Sequence, residues 1–471
     1  MMQYAFLSIY FLIALLVPLA FIAMLWSLFR ISAQHDQRIF WGGFIGLLGV
    51  LPVLTDIRIA RGEWVNGVLQ DVWIPPGIVQ FLALWGARGL TYLILAFSLV
   101  VIVKSFHGKT IGKRYGSWLF IAYLVFVVPT FISAVAGSRP IFIHFMLYAP
   151  LIFTLAYLAN PSADWRWYTR QFKRVLLIYV SLSALMGVLA PTWATGTALT
   201  LIPGFTFRLH GVFSHSNSLG MAALVYLVLD MADDSPSTLY RKLGWLVSMS
   251  VLIATQSKTA WAGAVLAYAV FFIHKFTTLK TAAQNGQSAI ALTAGGLILL
   301  TGSLGLLLLG EASVKNWFGG LDTQTYNSLT SLTGRTSIWE ITINSWLDNP
   351  IFGYGPGLWD VEYRLKYAPQ FLYIVGMAHN QFFQTLGESG VLGVIGLFVY
   401  VGTLLSFGIR FFSTTRGASL SLVVVLIARS ISETPFRNQA LDLMFFIHFA
   451  VFVLFLSLAA SDAKPVSRRQ I

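Results

Sequence analysis

Long apolar segments alternate with short polar segments along most of this chain. Apolar segments of about 15 to 25 residues suit helices that cross the hydrocarbon core of a membrane. Strands are disfavoured because an open sheet edge has no hydrogen-bond partners in lipid. The pattern predicts about twelve to fourteen spanning helices. Their predicted bounds are 5–29, 39–55, 78–103, 118–136, 140–159, 175–190, 212–229, 243–256, 260–274, 288–310, 388–409, 417–431 and 440–460.

Composition supports this pattern. Mean hydropathy is +0.74 and only 10% of residues are charged, whereas soluble domains carry about 25%. We therefore predict an all-α polytopic membrane protein, with a single transmembrane domain over 1–471. The segment from Met1 to Leu28 lacks the basic start and cleavage site of a signal peptide, so we expect it to remain a helix. The absence of cysteine excludes disulfides, thiolate metal sites and a cysteine nucleophile.

The net charge of +13 is distributed as a topology signal. When the predicted spans are placed across a membrane in chain order, most basic residues fall in loops on one side. By the positive-inside rule that side is cytoplasmic. The long polar loop at 311–387 then lies on the outer face. Basic runs are not interleaved with aromatic residues, so nucleic acid is not an expected partner. Membrane lipids with anionic headgroups and an anionic substrate fit the charge better.

The long loop is the most informative feature of the sequence. A loop of about seventy residues between membrane helices indicates chemistry at the membrane face. Within it, the apolar spacing from Arg335 to Leu347 predicts an amphipathic helix that ends at Asn349-Pro350. This helix can lie in the membrane interface, with Trp339 and Trp346 at the depth of the headgroups.

Four cationic or ionisable residues stand at the outer ends of predicted spans: Arg208, Lys258, Arg335 and His379. Any one of them alone is most simply an anchor that reaches toward the headgroups. Together they favour a site, because they are the minority that breaks the positive-inside bias. A planar guanidinium binds phosphate oxygens through two hydrogen bonds, so Arg208 and Arg335 suit a diphosphate.

His379 is the candidate general base, because an imidazole is the side chain best matched to proton transfer near neutral pH. An interfacial or core histidine is the alternative interpretation. Glu388 lies more than two helical turns from His379, too far for direct contact, so we predict that it packs a helix or tethers the loop. In the last outer loop we predict a structural ion pair between Glu433 and a flanking arginine, Arg429 or Arg437.

A metal site and a serine triad are both disfavoured. His210 and His215 occur without a His-Glu-x-x-His pair or a carboxylate cluster at ligand spacing. The chain also lacks a Gly-x-Ser-x-Gly elbow. We therefore expect neither a metal nor another cofactor.

An ordered set of short motifs between about residue 200 and residue 440 resembles the O-antigen ligase/polymerase superfamily. No single motif is specific, and the resemblance rests on their order at these span ends. The motifs are Arg208-x-x-Gly211, Ser216-Asn217-x-x-Gly220, Ser257-Lys258-Thr259, Thr333-Gly334-Arg335-x-x-x-Trp339, Gly353-x-Gly355-Pro356-Gly357, His379-Asn380 and Glu388-x-Gly390.

The resemblance implies an inverting, metal-independent glycosyltransferase of the GT-C kind, on the periplasmic face of a bacterial inner membrane. Its donor would be a glycan on undecaprenyl diphosphate and its acceptor a glycan. Arg208 and Arg335 are similar to the family's diphosphate-binding arginines, and His379 is similar to its base. Chain-length regulators and export proteins are candidate protein partners. Further candidate substrate-binding residues are Lys258, Asn217, Asn380 and Arg429.

Two activities fit this family, and a third class remains open. The segments 213–220 and 256–260 look more like exopolysaccharide polymerases, although those often have Lys where this chain has Ser216. The alternative is a ligase that moves glycan to lipid A-core or to protein. A transporter or flippase would more naturally place its charges in mid-membrane, on broken helices.

Overall fold

The computed structural model describes residues 37–57, 61–65, 68–73, 77–107, 114–196, 202, 207–236, 238–282, 335–369, 375–437 and 441–463. Within these ranges the chain is predominantly helical, and its only sheets are two short antiparallel pairs of strands. The protein is an all-α polytopic membrane protein, which confirms the fold class predicted from the sequence.

In chain order the elements are α1 (Gln37–Ile57), β1 (Arg61–Val65), β2 (Val68–Trp73), α2 (Gly77–His107), α3 (Ser117–Ala136), a 3₁₀ turn (His144–Leu147), α4 (Tyr148–Leu158), α5 (Trp165–Leu189), α6 (Pro191–Ala194), β3 (Thr195–Gly196), β4 (Arg208–Leu209), α7 (Ser216–Ala232), α8 (Leu239–Thr255), α9 (Lys258–Ala282), α10 (Arg335–Leu347), α11 (Val361–Tyr367), α12 (Gln381–Arg410), α13 (Ala418–Ser430) and α14 (Leu443–Asp462). Strand β1 pairs with β2, and β3 pairs with β4.

Seven of the described helices are long and apolar enough to cross a membrane: α1, α2, α3, α5, α9, α12 and α14. Shorter apolar helices lie at His144–Leu158, Ser216–Ala232 and Ala418–Ser430. The predicted spans at 5–29 and 288–310 lie outside the described residues, as does the first part of the long loop, 311–334.

Several predicted spans have different bounds in the structure, and for two of them residues near the start of the helix give the reason. In place of one span at 140–159, the α-helical turns of α4 begin only at Tyr148, because Pro150 lacks the N–H group that a longer preceding helix would use. Helix α5 begins at Trp165 instead of residue 175, since the Asp164 side chain caps it by accepting a hydrogen bond from the Trp167 N–H at 3.2 Å. The hairpin β1–β2 and helix α11 were not predicted.

The described residues belong to two compact units. The first takes those within Met1–Phe120, Leu147–Trp261 and Gln439–Ile471, and the second those within Ile121–Met146 and Ala262–Asn438. Helices α3 and α9 each begin in the first unit and continue in the second. The single transmembrane domain over 1–471 stays a prediction.

The first unit is built around α14, which is buried along almost its whole length. This helix packs against α5, α4, α7 and α1, and it is apolar on every side, as a central helix must be. A buried ion network holds the end of α7. Lys173 on α5 donates to Asp230 at 2.9 Å and also to Asp233. Arg241 on α8 donates to Asp230 at 3.0 Å.

In the second unit, α10 and α11 pack through an apolar cluster with the segments before α12. Arg139, just after α3, fastens this layer by donating to Asp360 at 2.8 Å and to Glu362. Its backbone N–H also donates to the Tyr354 carbonyl at 2.8 Å. The glycine-rich turn at 353–357 is therefore held against the end of α3.

Helix α12 is broken at Gly390, which has the left-handed φ of 62°. A side chain there would overlap the carbonyl of Ile351, so only glycine fits. Backbone groups at the break are satisfied by the passing segment: the Val391 N–H donates to the Pro350 carbonyl at 2.9 Å, and the Tyr354 N–H donates to the Gly387 carbonyl at 2.7 Å. The break separates a short helical piece, 381–389, from the membrane span.

Candidate active site

His379 lies immediately before α12, in a conformation unusual for a residue with a side chain. Its φ is 48°, in the left-handed region, and backbone strain of this kind is characteristic of functional positions. The imidazole is half-buried, with 26% of its side chain exposed. Its Nδ1 lies 3.1 Å from Oε2 of Glu433.

Glu433 follows α13 and connects His379 to a buried arginine. Its Oε1 lies 3.6 Å from the guanidinium of Arg429, one helical turn earlier. The predicted ion pair in this loop is thus confirmed for Arg429. Arg437 donates to the carbonyl of Gly376 at 2.9 Å. A carboxylate that accepts from Nδ1–H leaves Nε2 of His379 with the lone pair that a general base needs.

Backbone and amide contacts hold His379 in place from both sides. Asn380 caps α12 by accepting from the Phe383 N–H at 3.2 Å, and its amide donates to the Ile431 carbonyl at 3.1 Å. The Ala378 N–H donates to Oε1 of Gln384 at 2.6 Å. These contacts tie the short helix 381–389 to the turn that carries Glu433.

Glu388 is linked through Gln384 to the segment that carries His379. The Gln384 amide nitrogen donates to the Glu388 carboxylate at 2.7 Å. The amide oxygen of Gln384 is therefore the end that accepts from the Ala378 N–H. The Ser133 hydroxyl donates to the backbone carbonyl of Glu388 at 2.6 Å. Glu388 is buried, so the prediction that it packs a helix or tethers the loop is confirmed.

Arg335 is the first residue of α10, in the same unit as His379. Its guanidinium is half-buried, and among the described residues it has no hydrogen-bond or ion-pair partner. One turn later, the indole N–H of Trp339 donates to the Ala378 carbonyl at 2.9 Å. Helix α10 therefore contacts the segment that carries the imidazole through Trp339, one turn after Arg335.

Arg208, in the first unit, uses some of its hydrogen-bond donors for contacts within the protein. Its guanidinium donates to the carbonyls of Thr255 and Gln256, both at 3.2 Å, at the end of α8. Gln256 adopts a left-handed φ of 48°, which ends the helix, and its buried side chain donates to the Phe207 carbonyl at 2.8 Å. Burial lowers the pKa of Arg208, as expected for a cation with reduced hydration. An anion there would replace hydration that the guanidinium has lost.

Two other candidates of the first unit belong to the same helix junction. The Ser257 hydroxyl donates to the side-chain oxygen of Asn217 at 2.9 Å, which joins the start of α7 to the turn between α8 and α9. Lys258 is the first residue of α9 and is exposed. Asn217 thus has a structural contact, and the substrate-binding roles of both residues stay predictions.

The sequence pointed to His379 and Arg208 but not to the glutamines that hold their segments, Gln384 beside Ala378 and Gln256 beside Phe207. Gln384 and Gln256 had no signal of their own, because a glutamine near a span end is common. Glu433 stood between two arginines and was interpreted as structural only. Within the described ranges, no group of three or more His, Asp and Glu side chains is placed to hold a metal ion, and His210 and His215 form no such group.

Part of the chain matches a known protein family. Residues 243–398 match the family model described as O-antigen ligase. The matched region includes Lys258, Arg335, His379 and Asn380, whereas Arg208 and Glu433 lie outside it. Among curated proteins, none matches this chain.

Proposed function

We propose that this protein, a member of the O-antigen ligase/polymerase superfamily through residues 243–398, transfers glycan from undecaprenyl diphosphate to an acceptor hydroxyl. The observation that carries the proposal is the His379–Glu433 pair at 3.1 Å, in the same unit as Arg335. An oriented base and a phosphate-binding cation are the two groups that this transfer needs.

The transfer is a single displacement at the anomeric carbon of the donor sugar. His379 accepts the proton of the acceptor hydroxyl through Nε2 while that oxygen forms the new glycosidic bond. The bond between the anomeric carbon and the phosphate oxygen breaks, and undecaprenyl diphosphate leaves with the electron pair. Attack from the side opposite the leaving group inverts the configuration.

Arg335 and Arg208 are assigned to the diphosphate. Charge develops on the leaving phosphate oxygens during bond breaking, and guanidiniums that donate two hydrogen bonds can stabilise it. Replacing either arginine with lysine keeps the charge and removes the two-point geometry. We expect Arg335→Lys to lose most activity while remaining folded. Near-normal product from that variant would identify Arg335 as a membrane anchor.

Arg208→Lys needs a folding control, because Arg208 also closes the end of α8. Its two hydrogen bonds to helix carbonyls make a loss of stability an expected second effect. Donor binding and unfolding temperature therefore have to be measured on the same sample. Loss of binding at an unchanged unfolding temperature supports the diphosphate role, whereas unchanged binding refutes it.

We favour polymerisation of repeat units, because the segments 213–220 and 256–260 look more like those of exopolysaccharide polymerases. The second candidate is ligation, which is favoured by the match of residues 243–398 to the O-antigen ligase family. The glycans of a deletion strain distinguish the two. A polymerase mutant would accumulate single repeat units on the lipid, whereas a ligase mutant would accumulate long glycan on undecaprenyl diphosphate.

The reaction is assigned to the periplasmic face of a bacterial inner membrane. The chain has no native thiols, so single cysteines report topology directly. Cysteine at Glu362, whose side chain is 74% exposed in the first turn of α11, should react with an impermeant reagent in spheroplasts. Cysteine at the exposed Lys242 should react only after lysis. The opposite pattern would place the site in the cytoplasm.

A further inference from the structure

Arg335 and Trp339 occupy one face of α10. Residues four apart in a helix lie on the same side, about 6 Å apart along its axis. The helix is regular from Arg335 to Leu347, so this spacing applies to the pair. The indole of Trp339 is therefore the next side chain along the surface that presents the Arg335 guanidinium.

The Trp339 indole is fixed in orientation by two contacts from the His379 segment. Its N–H donates to the carbonyl of Ala378, the residue before His379, at 2.9 Å. Its ring stacks on Phe383, with centroids 4.9 Å apart and planes inclined by 24°. Trp339 is half-buried despite these contacts. A rigid aromatic surface thus bridges the helix of Arg335 and the segment of His379.

The proposed transfer requires a sugar at this place. The anomeric carbon of the donor is bonded to a phosphate oxygen and is attacked from the opposite side by the oxygen whose proton goes to the base. The sugar ring must therefore lie between the group that binds diphosphate and the group that accepts the proton. In the second unit we assign these two roles to Arg335 and His379. Trp339 lies one helical turn after Arg335 and donates to the carbonyl of Ala378, the residue before His379.

We propose that Trp339 forms the floor of the subsite for the donor sugar, the pyranose bonded directly to the lipid diphosphate. Pyranose rings present a face of C–H groups, and aromatic faces carry the partial negative charge that attracts them. Sugar and cofactor pockets are commonly lined by aromatic side chains that give shape, with few polar groups that give orientation. This inference rests on the proposed glycan transfer and specifies which side chain contacts the sugar.

Trp346 provides a matched control on the same helix. Its indole N–H also donates to a backbone carbonyl, that of Pro350, at 2.9 Å. Because both tryptophans lie on the same helix, a general interfacial role predicts similar effects for both. A sugar floor predicts an effect for Trp339 alone.

The test compares binding of two ligands to purified protein in nanodiscs. One is the lipid-linked glycan extracted from a strain deleted for this protein, and the other is undecaprenyl diphosphate without sugar. Trp339→Leu should lower affinity for the glycan lipid by about tenfold and leave affinity for undecaprenyl diphosphate within about twofold. Trp339→Phe, which keeps an aromatic face, should retain most of the preference for the sugar. Trp346→Leu should match the wild type with both ligands.

Three results would overturn the inference. Trp339→Leu could bind both lipids as the wild type does, or it could lose affinity for both equally. Trp339→Phe could lose as much as Trp339→Leu, which would mean that the hydrogen bond to Ala378 matters and the ring face does not. Failure of the proposed function looks different, because the wild type would then neither bind nor process the lipid-linked glycan.

Discussion

Replacing Glu433 with glutamine tests the role of the carboxylate beside His379. Glutamine keeps the size of the side chain and an oxygen that can accept from Nδ1–H, but it has no charge. The base becomes an imidazolium during transfer, and a carboxylate 3.1 Å away stabilises that cation. The substitution should therefore lower the rate of the chemical step and leave donor binding unchanged.

The expected loss follows from the distances. Two unit charges 3.1 Å apart attract by about 5 kcal/mol at an effective dielectric constant of about 20. Arg429, 3.6 Å from the other oxygen, already offsets part of the carboxylate charge, and the imidazole is 26% exposed to solvent. About 2 to 3 kcal/mol remains, which corresponds to a decrease of about 30- to 150-fold in kcat.

The assay measures kcat and donor affinity on the same purified sample. Glu362→Gln is the matched control: it makes the same chemical change in the same unit, at an exposed carboxylate paired with Arg139. It should change the rate by less than about threefold. Because Arg429 is buried, unfolding temperatures must accompany each measurement.

Three outcomes are informative for this prediction. A Glu433→Gln enzyme with a wild-type rate would refute the stabilisation of the imidazolium by the carboxylate charge. Loss of folding together with activity would identify the residue as the structural partner of Arg429. A large fall in kcat at constant donor affinity and constant unfolding temperature is the result that the geometry predicts.

Three further predictions concern the scaffold and the chemistry. Gly390→Ala should lower the unfolding temperature and the activity together, because a residue with a side chain pays about 1 to 3 kcal/mol for the left-handed backbone and the new methyl group overlaps Ile351. The control, Gly402→Ala, has open space around it and should change neither. Equal unfolding temperatures for the two variants would disprove the requirement for glycine at position 390. Burial alone would raise the pKa of Asp233, but the hydrogen bonds from Lys173 and Ser235 lower this pKa to about 2. A lowered pKa in the folded state stabilises the fold at pH values above the unfolded pKa of about 3.9, so Asp233→Asn should lower the free energy of unfolding by about 2 kcal/mol at neutral pH. The difference in free energy of unfolding between variant and wild type should shrink as the pH falls from about 4 toward 2. A constant difference across that range would contradict the assignment of the lowered pKa to Asp233. Transfer by the purified protein should survive EDTA because arginines are assigned to the leaving group, and activity that needs added magnesium would overturn that account.

Apolar periodicity predicted most helices but not the true start of α12. The predicted span began at residue 388, whereas the helix begins at Gln381. The first two turns bury Gln381, Gln384 and Thr385, which are hydrogen-bonded to one another or to nearby backbone. Polar side chains satisfied in this way are indistinguishable from a loop in a hydropathy pattern, since burial depends on partners elsewhere in the fold.

The site was predictable where single residues carried the signal. His379 and Arg335 stood out as ionisable groups at the outer ends of spans. The pairing of His379 with Glu433 joins residues 54 positions apart and depends on the packing between the segment before α12 and the turn after α13. Arg208 was predicted as a phosphate ligand, but its contacts with the end of α8 depend on the left-handed turn at Gln256, which no local motif announces.

The most direct test of the account compares His379→Ala with the wild type in reconstituted transfer. The purified proteins receive the lipid-linked glycan from the deletion strain together with the acceptor, and donor binding is measured in parallel. We predict that product formation falls by about two to four orders of magnitude while donor affinity stays within about twofold of the wild type. Normal turnover by His379→Ala, or loss of donor binding and folding together, would contradict the assignment of His379 as the base.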